Sequence, residues 1–371
     1  MIRSAIYRVF PVRFRGKISK CHNSSQIIKF SVPIGRNVMR TKLVILGIVM
    51  LLAASAMAQP PVVKPACDRA CLEKYIDRYL DAVIAKDVNP SLFARDVKFT
   101  ENGIQLPLGK EGLWYGMSGK GTYKFYIPDV ETQQIAFIGT VAEGGGGTSA
   151  KGAKPAAPTT IAVAIRLKIA NGLITEVEQL AIRPEQSLTG AAAKPSPGGF
   201  PPTGEAVEKM GKPNPMFLEA IPESQRHTRE DLVRIGNYYF DALQRNDGKG
   251  YYPFTDDAVR FENGMNSCGL DREGKLIPGH CRENMATYGP IVSRIRDRRF
   301  VAVDRERGIA FAFGFFDHEQ INWTWQIAEL FKIEGENIRR IEAIFHRAPY
   351  GINSGWSTYE QTMSEEPQSV R

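Results

Sequence analysis

The chain is short of the signatures that usually announce chemistry. No nucleophile elbow, phosphate-binding loop, dinucleotide fingerprint or haem-attachment motif occurs, so the standard sequence warrants for serine hydrolysis, nucleotide chemistry and redox cofactors are missing. Cysteine is scarce, five in 371 residues. The spacings Cys67-x3-Cys71 and Cys268-x12-Cys281 lie two hundred residues apart and lack the compact pattern of a zinc finger or ribbon. No metal site and no cofactor are expected. Acidic residues are missing altogether from positions 1–58. Beyond Ala54 no uncharged apolar run approaches the roughly 20 residues that span a bilayer, which argues against a stable membrane span in the mature chain.

What is present begins with charge. Lys and Arg number 48 against 40 Asp and Glu, a formal +8 that suggests a polyanionic partner. Ten of those basic residues fall in 1–58, leaving 38 basic and 40 acidic residues beyond it, a formal −2. The positive balance is a property of the leader, and no nucleic-acid partner is expected. Within the leader, Met39-Arg-Thr-Lys42 precedes an apolar run, Leu43–Ala54, and small residues at Ala56 and Ala58. That is the layout of a cleaved secretory signal at 39–58, and it implies a periplasmic or secreted protein. Residues 1–38 stand upstream of a complete signal. We read them as an extension from a start assigned too early, with an Arg-rich organelle transit peptide as the alternative.

Removing the leader leaves Cys67, Cys71, Cys268 and Cys281, which allow three disulfide connectivities in an oxidising compartment. Local pairing is favoured, because residues four apart on a helix lie near 6 Å between Cα atoms. Hydrophobic content of 43% and charged content of 24% exclude wholesale disorder and leave a core to bury. Residues 142–158 read as a flexible loop between strands, and 186–226, rich in Pro, Gly, Ala and Lys, as a linker. The chain divides into 66–185 and 227–357, with a polar tail at 358–371.

The two halves repeat each other. Tyr79-Leu-Asp-Ala82 answers Tyr239-Phe-Asp-Ala242, each on an amphipathic helix. Val97-Lys-Phe-Thr-Glu-Asn-Gly103 answers Val259-Arg-Phe-Glu-Asn-Gly264 with one residue fewer. Asp129-Val-Glu131 matches Asp304-Arg-Glu306, and Lys168-Ile169 with Val177-Glu178 matches Lys332-Ile333 with Ile341-Glu342. Turn signals at Asn171-Gly172 and Gly335 close the last hairpins. The expected fold is α+β, two fused domains, each a curved antiparallel sheet packed on N-terminal helices. In element order and strand blocks each half resembles the SnoaL-like, nuclear-transport-factor-2-like superfamily of cone-shaped domains. The resemblance implies a pocket between helices and sheet, and an internal pseudo-dimer packed through the sheets. It also implies a position for the catalytic Asp of ketosteroid-isomerase-like members. That position corresponds here to Asn102 and Asn263, which cannot take a proton, leaving Glu101 and Glu262 as substitutes if they point inward.

Candidate site residues follow from strand alternation. Glu342 shares a face with Ile344 and His346, and Glu178 with Leu180 and Ile182. A carboxylate among aliphatics is either paired to an arginine or raised toward useful acid–base strength. Glu342, Glu262 and His346 are the catalytic candidates. Glu101, Asn102, Glu178 and Asn263 are ligand-binding candidates, although Asn-Gly is equally a turn signature. Trp323 and Trp325 share a face with Ile327 and Glu329 and are read either as pocket walls or as an interface. Arg294, Arg296, Arg298 and Arg299 read as a solvated salt-bridge network. The function expected is binding of a small organic molecule, with cofactor-independent lysis, isomerisation or hydrolysis, or a purely structural module, as alternatives. N-terminal sequencing of the exported protein should begin at Gln59; a mature N-terminus upstream of Met39 contradicts this partition.

Overall fold

The computed structural model describes residues 67–144, 157–184, 202–245, 247–287 and 292–371, all within the compact unit Lys64–Arg371. The signal sequence and its extension lie outside these residues, as do 145–156 and the first part of the expected linker, 186–201.

Helix α1 (Arg69–Ala85) opens the first half. Asp68 caps it by accepting from Cys71 N at 2.8 Å, and Lys86 ends it in the left-handed region. Its Leu72, Ile76, Tyr79 and Val83 recur at helical spacing and are buried. Strands β1 (Phe93–Glu101), β2 (Ile104–Gln105), β3 (Met117–Asp129), β4 (Gln134–Glu143), β5 (Thr159–Ala170) and β6 (Leu173–Ile182) follow, with the one-turn helix α2 (Leu113–Gly116) before β3. Their order in the sheet is β2-β1-β6-β5-β4-β3.

The second half repeats this plan. After α3 (Thr203–Met210) and α4 (Pro215–Leu218) come α5 (Arg229–Arg245), β7 (Phe254–Glu262), β8 (Met265–Cys268) and α6 (His280–Thr287). Strands β9 (Arg294–Asp304), β10 (Ile309–His318), β11 (Trp323–Glu334) and β12 (Asn337–Pro349) complete it. The sheet runs β8-β7-β12-β11-β10-β9, the first order with six added to each number, and β13 (Gln368–Ser369) joins beyond β9. Both sheets are mixed, which corrects the expectation of antiparallel ones: β1 pairs parallel to β6, β7 to β12 and β13 to β9. Three hairpin reversals bring the last strand of each half back alongside the first in the same direction.

Alternation along the strands separates three cores. Ile135 and Phe137 face α1 in the first, and Ala310 and Ala312 face α5 in the second. Ala136, Ile138, Ile309, Phe311 and Phe313 belong to a third core shared by the two sheets. Polar contacts across that third layer are reciprocal. Arg229, the first residue of α5, is buried against Asp129 at the end of β3. Arg69, the first residue of α1, meets Asp304 at the end of β9 at 2.6 and 2.8 Å.

Two segments are more ordered than their composition suggests. Residues 203–225, read as linker, carry α3 and α4; Val207 and Phe217 enter the shared core, and Glu208 accepts from Thr122 N and both Thr122 and Thr140 hydroxyls. The tail read as polar forms α7 (Tyr359–Thr362) and β13. Ahead of it Trp356 donates to Thr100 Oγ1 at 2.8 Å and lies beneath Lys98 and Arg166. Isolated apolar residues anchor both segments, a signal too sparse for periodicity to reveal. Both cysteine pairs, Cys67–Cys71 and Cys268–Cys281, are bonded locally.

Removing one member of a buried ion pair strands the other. Asp129→Ala, which leaves the fully buried Arg229 without its carboxylate, should cost about 3–5 kcal/mol in denaturant unfolding. Asp304→Ala should cost distinctly less, because Arg69 is 24% exposed and can rehydrate. Equal losses would contradict the reading.

Candidate functional site

Glu178 and Glu342 occupy equivalent positions, and both face the opposite sheet rather than a helix. Glu178 accepts from Arg299 Nη1 and Nη2 at 2.9 and 2.6 Å, and from Arg166 Nε at 3.2 Å. It is the structural partner of arginines, not a ligand group. Glu342 accepts from Tyr123 Oη at 2.6 Å. Burial raises its carboxyl to about 7, with the Tyr123 hydroxyl pulling the other way. Alternation correctly grouped Glu342 with Ile344 and His346. Which face of the strand meets the helix was the information it could not supply.

The catalytic pairing of Glu342 with His346 is corrected on distance. Four residues along a strand separate them by about 13 Å. His346 Nε2 contacts Gln326 Oε1 at 3.2 Å, and burial lowers its pKa to about 4, with the nearby Arg183 charge adding to the shift. The arginine network exists, but Arg296, Arg298 and Arg299 are buried rather than solvated, with Arg294 partly exposed. Arg294 and Arg296 share Asp317, and Arg298 meets Asp241 and Gln244.

Asn102 and Asn263 prove to be turn residues. Both have φ of 50°, followed by Gly103 and Gly264 at 78° and 76°, the two left-handed residues of a tight hairpin. Each side chain also plugs into the neighbouring strand: Asn102 accepts from Ala181 N and donates to Ala181 O. Asn263 does the same with Phe345. Glu101 is buried and saturated, accepting from Leu113 N and Gln179 Nε2 at 2.7 Å and pairing with Arg183 at 2.8 Å. None of these three is available to a ligand.

The strand registers align the halves residue by residue. Thr100 pairs with Glu178 and Glu101 with Gln179, while Phe261 pairs with Glu342 and Glu262 with Ala343. Glu101 therefore corresponds to Glu262, and both point toward their helices. One position of the same face back, Phe99 of the first half corresponds to Arg260 of the second. On the adjacent strand, Ile165 pairs with Gln179 and Glu329 with Ala343, so Ile165 corresponds to Glu329. The missing residue before Glu262 thus changed the inward residue behind it from phenylalanine to arginine.

The consequences differ between halves. Between α1 and its sheet, Trp114 is fully buried and packs edge-on against Tyr79 and Phe93 at 5.8 and 5.7 Å. Tyr79 Oη donates to Gln179 Oε1 at 2.7 Å. The first interior is packed. Between α5 and its sheet, a chamber is lined by Tyr239, Leu243, Arg260, Glu262, Phe316 and Trp325, with Val292, Ile327 and Phe345 completing the wall. Its free volume is about 10 Å³, room for roughly one water. Trp325 and Phe345 are only half-buried. Trp323 lies outside it, stacked on His318 at 4.3 Å and beneath Arg347 at 4.8 Å.

At the chamber's floor the polar groups converge. Arg260 is 1% exposed and donates from Nε to Ser267 Oγ at 2.8 Å, from Nη2 to Asn284 Oδ1 at 3.0 Å and from Nη1 to Tyr239 Oη at 3.4 Å. Glu262 stands 3.5 Å from Arg260 Nε and is 22% exposed. Glu329 follows Trp325 and Ile327 on one face of β11 and is wholly buried. The Tyr239 hydroxyl faces it as a hydrogen-bonding group, outside strict hydrogen-bond geometry. Burial holds its carboxyl well above the usual range; Glu262 raises it further, while Arg260 and Tyr239 oppose the shift. Sequence reasoning missed Arg260 and Glu329 as site residues, although Glu329 shares the face of Trp325. No group of three His, Cys, Asp or Glu able to hold a metal occurs among the described residues. Among them too, no helix is long and apolar enough to cross a membrane.

Comparison with known proteins adds little chemistry. The profile of a family described as a domain of unknown function, DUF8021, matches residues 225–345 and so spans the second half alone. No curated protein matches the chain. Among solved structures, AclR, a provisional hydroxylase from Streptomyces galilaeus, is similar at 14% identity over 31% of this chain and 80% of its own, with a TM-score of 0.24. At that score the likeness fixes neither fold nor chemistry.

Glu342 makes stability depend on pH with a definite sign. Its folded value of about 7 lies above the ordinary 4.5, so the folded state binds the extra proton between those limits. Stability is full below pH 4.5 and falls as pH rises to 7, by about 3 kcal/mol. Glu342→Gln should flatten that segment of the stability–pH curve; a slope unchanged from wild type contradicts the assignment.

Proposed function

We propose that the protein is exported and consists of two fused SnoaL-like, cone-shaped domains packed as an internal pseudo-dimer, of which the second binds a small organic molecule between α5 and its sheet. Export is supported by the signal-like Met39–Ala58 and by the two bonded cysteine pairs. The observation that carries the binding site is the exchange of Phe99 and Ile165 for Arg260 and Glu329 at matching positions of a repeated fold. An apolar pair packs such a position at no electrostatic cost. Burying a carboxyl at such a position costs on the order of 1–3 kcal/mol, a loss of the kind retained at functional sites.

The chamber as it stands holds about one water, so a guest must turn a wall outward. Half-buried Trp325 at the mouth is the wall able to do so, and Phe316 and Phe345 supply apolar surface behind it. Catalysis is the second reading. Glu262, beside Arg260, would act as base, and Glu329, one step deeper on β11 and held toward its neutral form by burial, as acid. Glu342 and His346 have no part in it.

The double variant Arg260→Phe, Glu329→Ile copies the packing of the first half. It should fold at least as stably as wild type, because replacing buried polar groups with apolar ones of like volume is neutral or gains about 1–4 kcal/mol. Native mass spectrometry of protein purified from its host should find a small molecule on wild type and none on the variant. Equal ligand content in both, or none in either, contradicts the binding reading. Glu262→Gln that keeps the ligand but loses turnover of it would establish catalysis.

A further inference from the structure

We infer that the edge of β9, between the two ends of α5, is a docking groove for an extended peptide, and that residues 357–370 are a detachable strap seated in it. The partner it fits presents an amide, a hydroxyl and a branched apolar side chain in succession, as Gln368-Ser369-Val370 does. This surface lies outside the chamber and does not depend on it. The strap runs parallel to β9: Gln368 pairs with Arg299 and Ser369 with Phe300, and Val370 N donates to Phe300 O at 3.0 Å. It also meets α5 at both ends. Glu365 accepts from Gln244 Nε2 at 2.7 Å, while Gln244 Oε1 accepts from Ile295 N of β9 at 2.6 Å. At the start of α5, Arg229 donates to Ser369 Oγ and to Val370 O, both at 3.0 Å. The Val370 side chain packs on the shared core, and Gln134 of β4 donates to its carbonyl at 3.2 Å. Backbone pairing thus supplies adhesion, and the side-chain contacts supply selection.

Asp297 is the centre of the groove. It sits at a break in the β9–β10 register with φ of 50°, a left-handed backbone that costs energy outside glycine. Strain of this kind is kept where a residue clamps a partner. Its N donates to Ser364 O at 3.0 Å, and its Oδ1 accepts from Ser357 Oγ and Gln368 Nε2. Asp297 is wholly buried, and its Oδ2 has no hydrogen-bond partner among the described residues. The strap itself is held mainly by polar contacts. Within 357–371 Thr362 alone is buried, and Tyr359 is 74% exposed. A segment with so few buried apolar contacts opens far more readily than the core. Gly351 and Gly355, with φ of 79° and 74°, lie between it and β12. At the edge of the first sheet, β3, a different segment does the same work: Glu208 of α3 accepts from Thr122 N at 3.0 Å and Tyr123 N at 3.5 Å. Closing such an edge therefore does not require one particular continuation of the chain.

Two measurements test this. In the full chain, hydrogen exchange is followed in low denaturant. The Asp297 and Val370 amides, which donate across the strap contact, should exchange by local release with little dependence on denaturant, while amides of β10 and β11 follow global unfolding. Asp297 and Val370 amides that share the denaturant dependence of β10 and β11 overturn the inference, because the strap then never leaves by itself. In the second measurement the chain is ended after Trp356 and titrated with a fluorescent synthetic peptide of sequence 357–371. Saturable binding is expected, weakened about ten-fold or more when Gln368 and Ser369 of the peptide are both alanine, since both bond to charged groups. A folded shortened chain that ignores the peptide, or binds a scrambled one equally well, also overturns the inference. If the shortened chain fails to fold, exchange in the full chain decides.

Discussion

The two sheets stack against each other, and that layer constrains everything else. A strand with a helix on one side and another sheet on the other has no face left for water. Polar side chains on the shared side must therefore find partners within it. They do so by exchange: Arg69 of the first half with Asp304 of the second, and Arg229 of the second with Asp129 of the first. Glu178 reaches across to Arg299 and Glu342 to Tyr123. A reciprocal pattern of this kind is what a self-complementary interface produces when two like units meet. The C-terminal segment adds a strap, with Trp356 on the first sheet and β13 paired to the second.

The shared layer is committed to structure, and the helix-facing interiors on its two sides have diverged. Trp114, Tyr79 and Phe93 fill the first. In the second, a one-residue deletion in the first long strand and a single change on β11 put Arg260 and Glu329 where Phe99 and Ile165 stand. Gln179, which binds both Tyr79 and Glu101 in the first half, becomes Ala343 in the second. Tyr239, Glu262 and Glu329 thereby lose the amide that would have tied them together, and a small polar chamber results. The first interior is filled by aromatic packing; the second keeps a buried arginine and two carboxyls.

Much of this was legible in the residues. The repeated blocks around Tyr79 and Tyr239, and around Glu178 and Glu342, gave the element order, and the turn chemistry of Asn102-Gly103 and Asn263-Gly264 was open to reading from composition. Alternation grouped Glu342 with His346 and Trp325 with Glu329 correctly. It could not say which group met a helix, because both faces of these strands are apolar. Glu342 was therefore favoured for the reason that applies to Glu329, burial among aliphatics, on the wrong side of the sheet. The gap before Glu262 was visible, but its effect fell on the residue behind it, Arg260, and only the register shows that. Val207, Phe217 and Trp356 were hidden by the Pro, Gly and polar residues around them.

The central claim is that the interior between α5 and its sheet is the one built to receive a guest. An electron-density map of the protein purified from its own host tests this most directly. The account predicts density for a small organic molecule between α5 and its sheet, with Trp325 turned from its place in the closed chamber. A guest lodged in the shared layer beside Glu342 or in the first half beside Trp114 would contradict it. So would a second interior closed by a direct bidentate pair between Arg260 and Glu329.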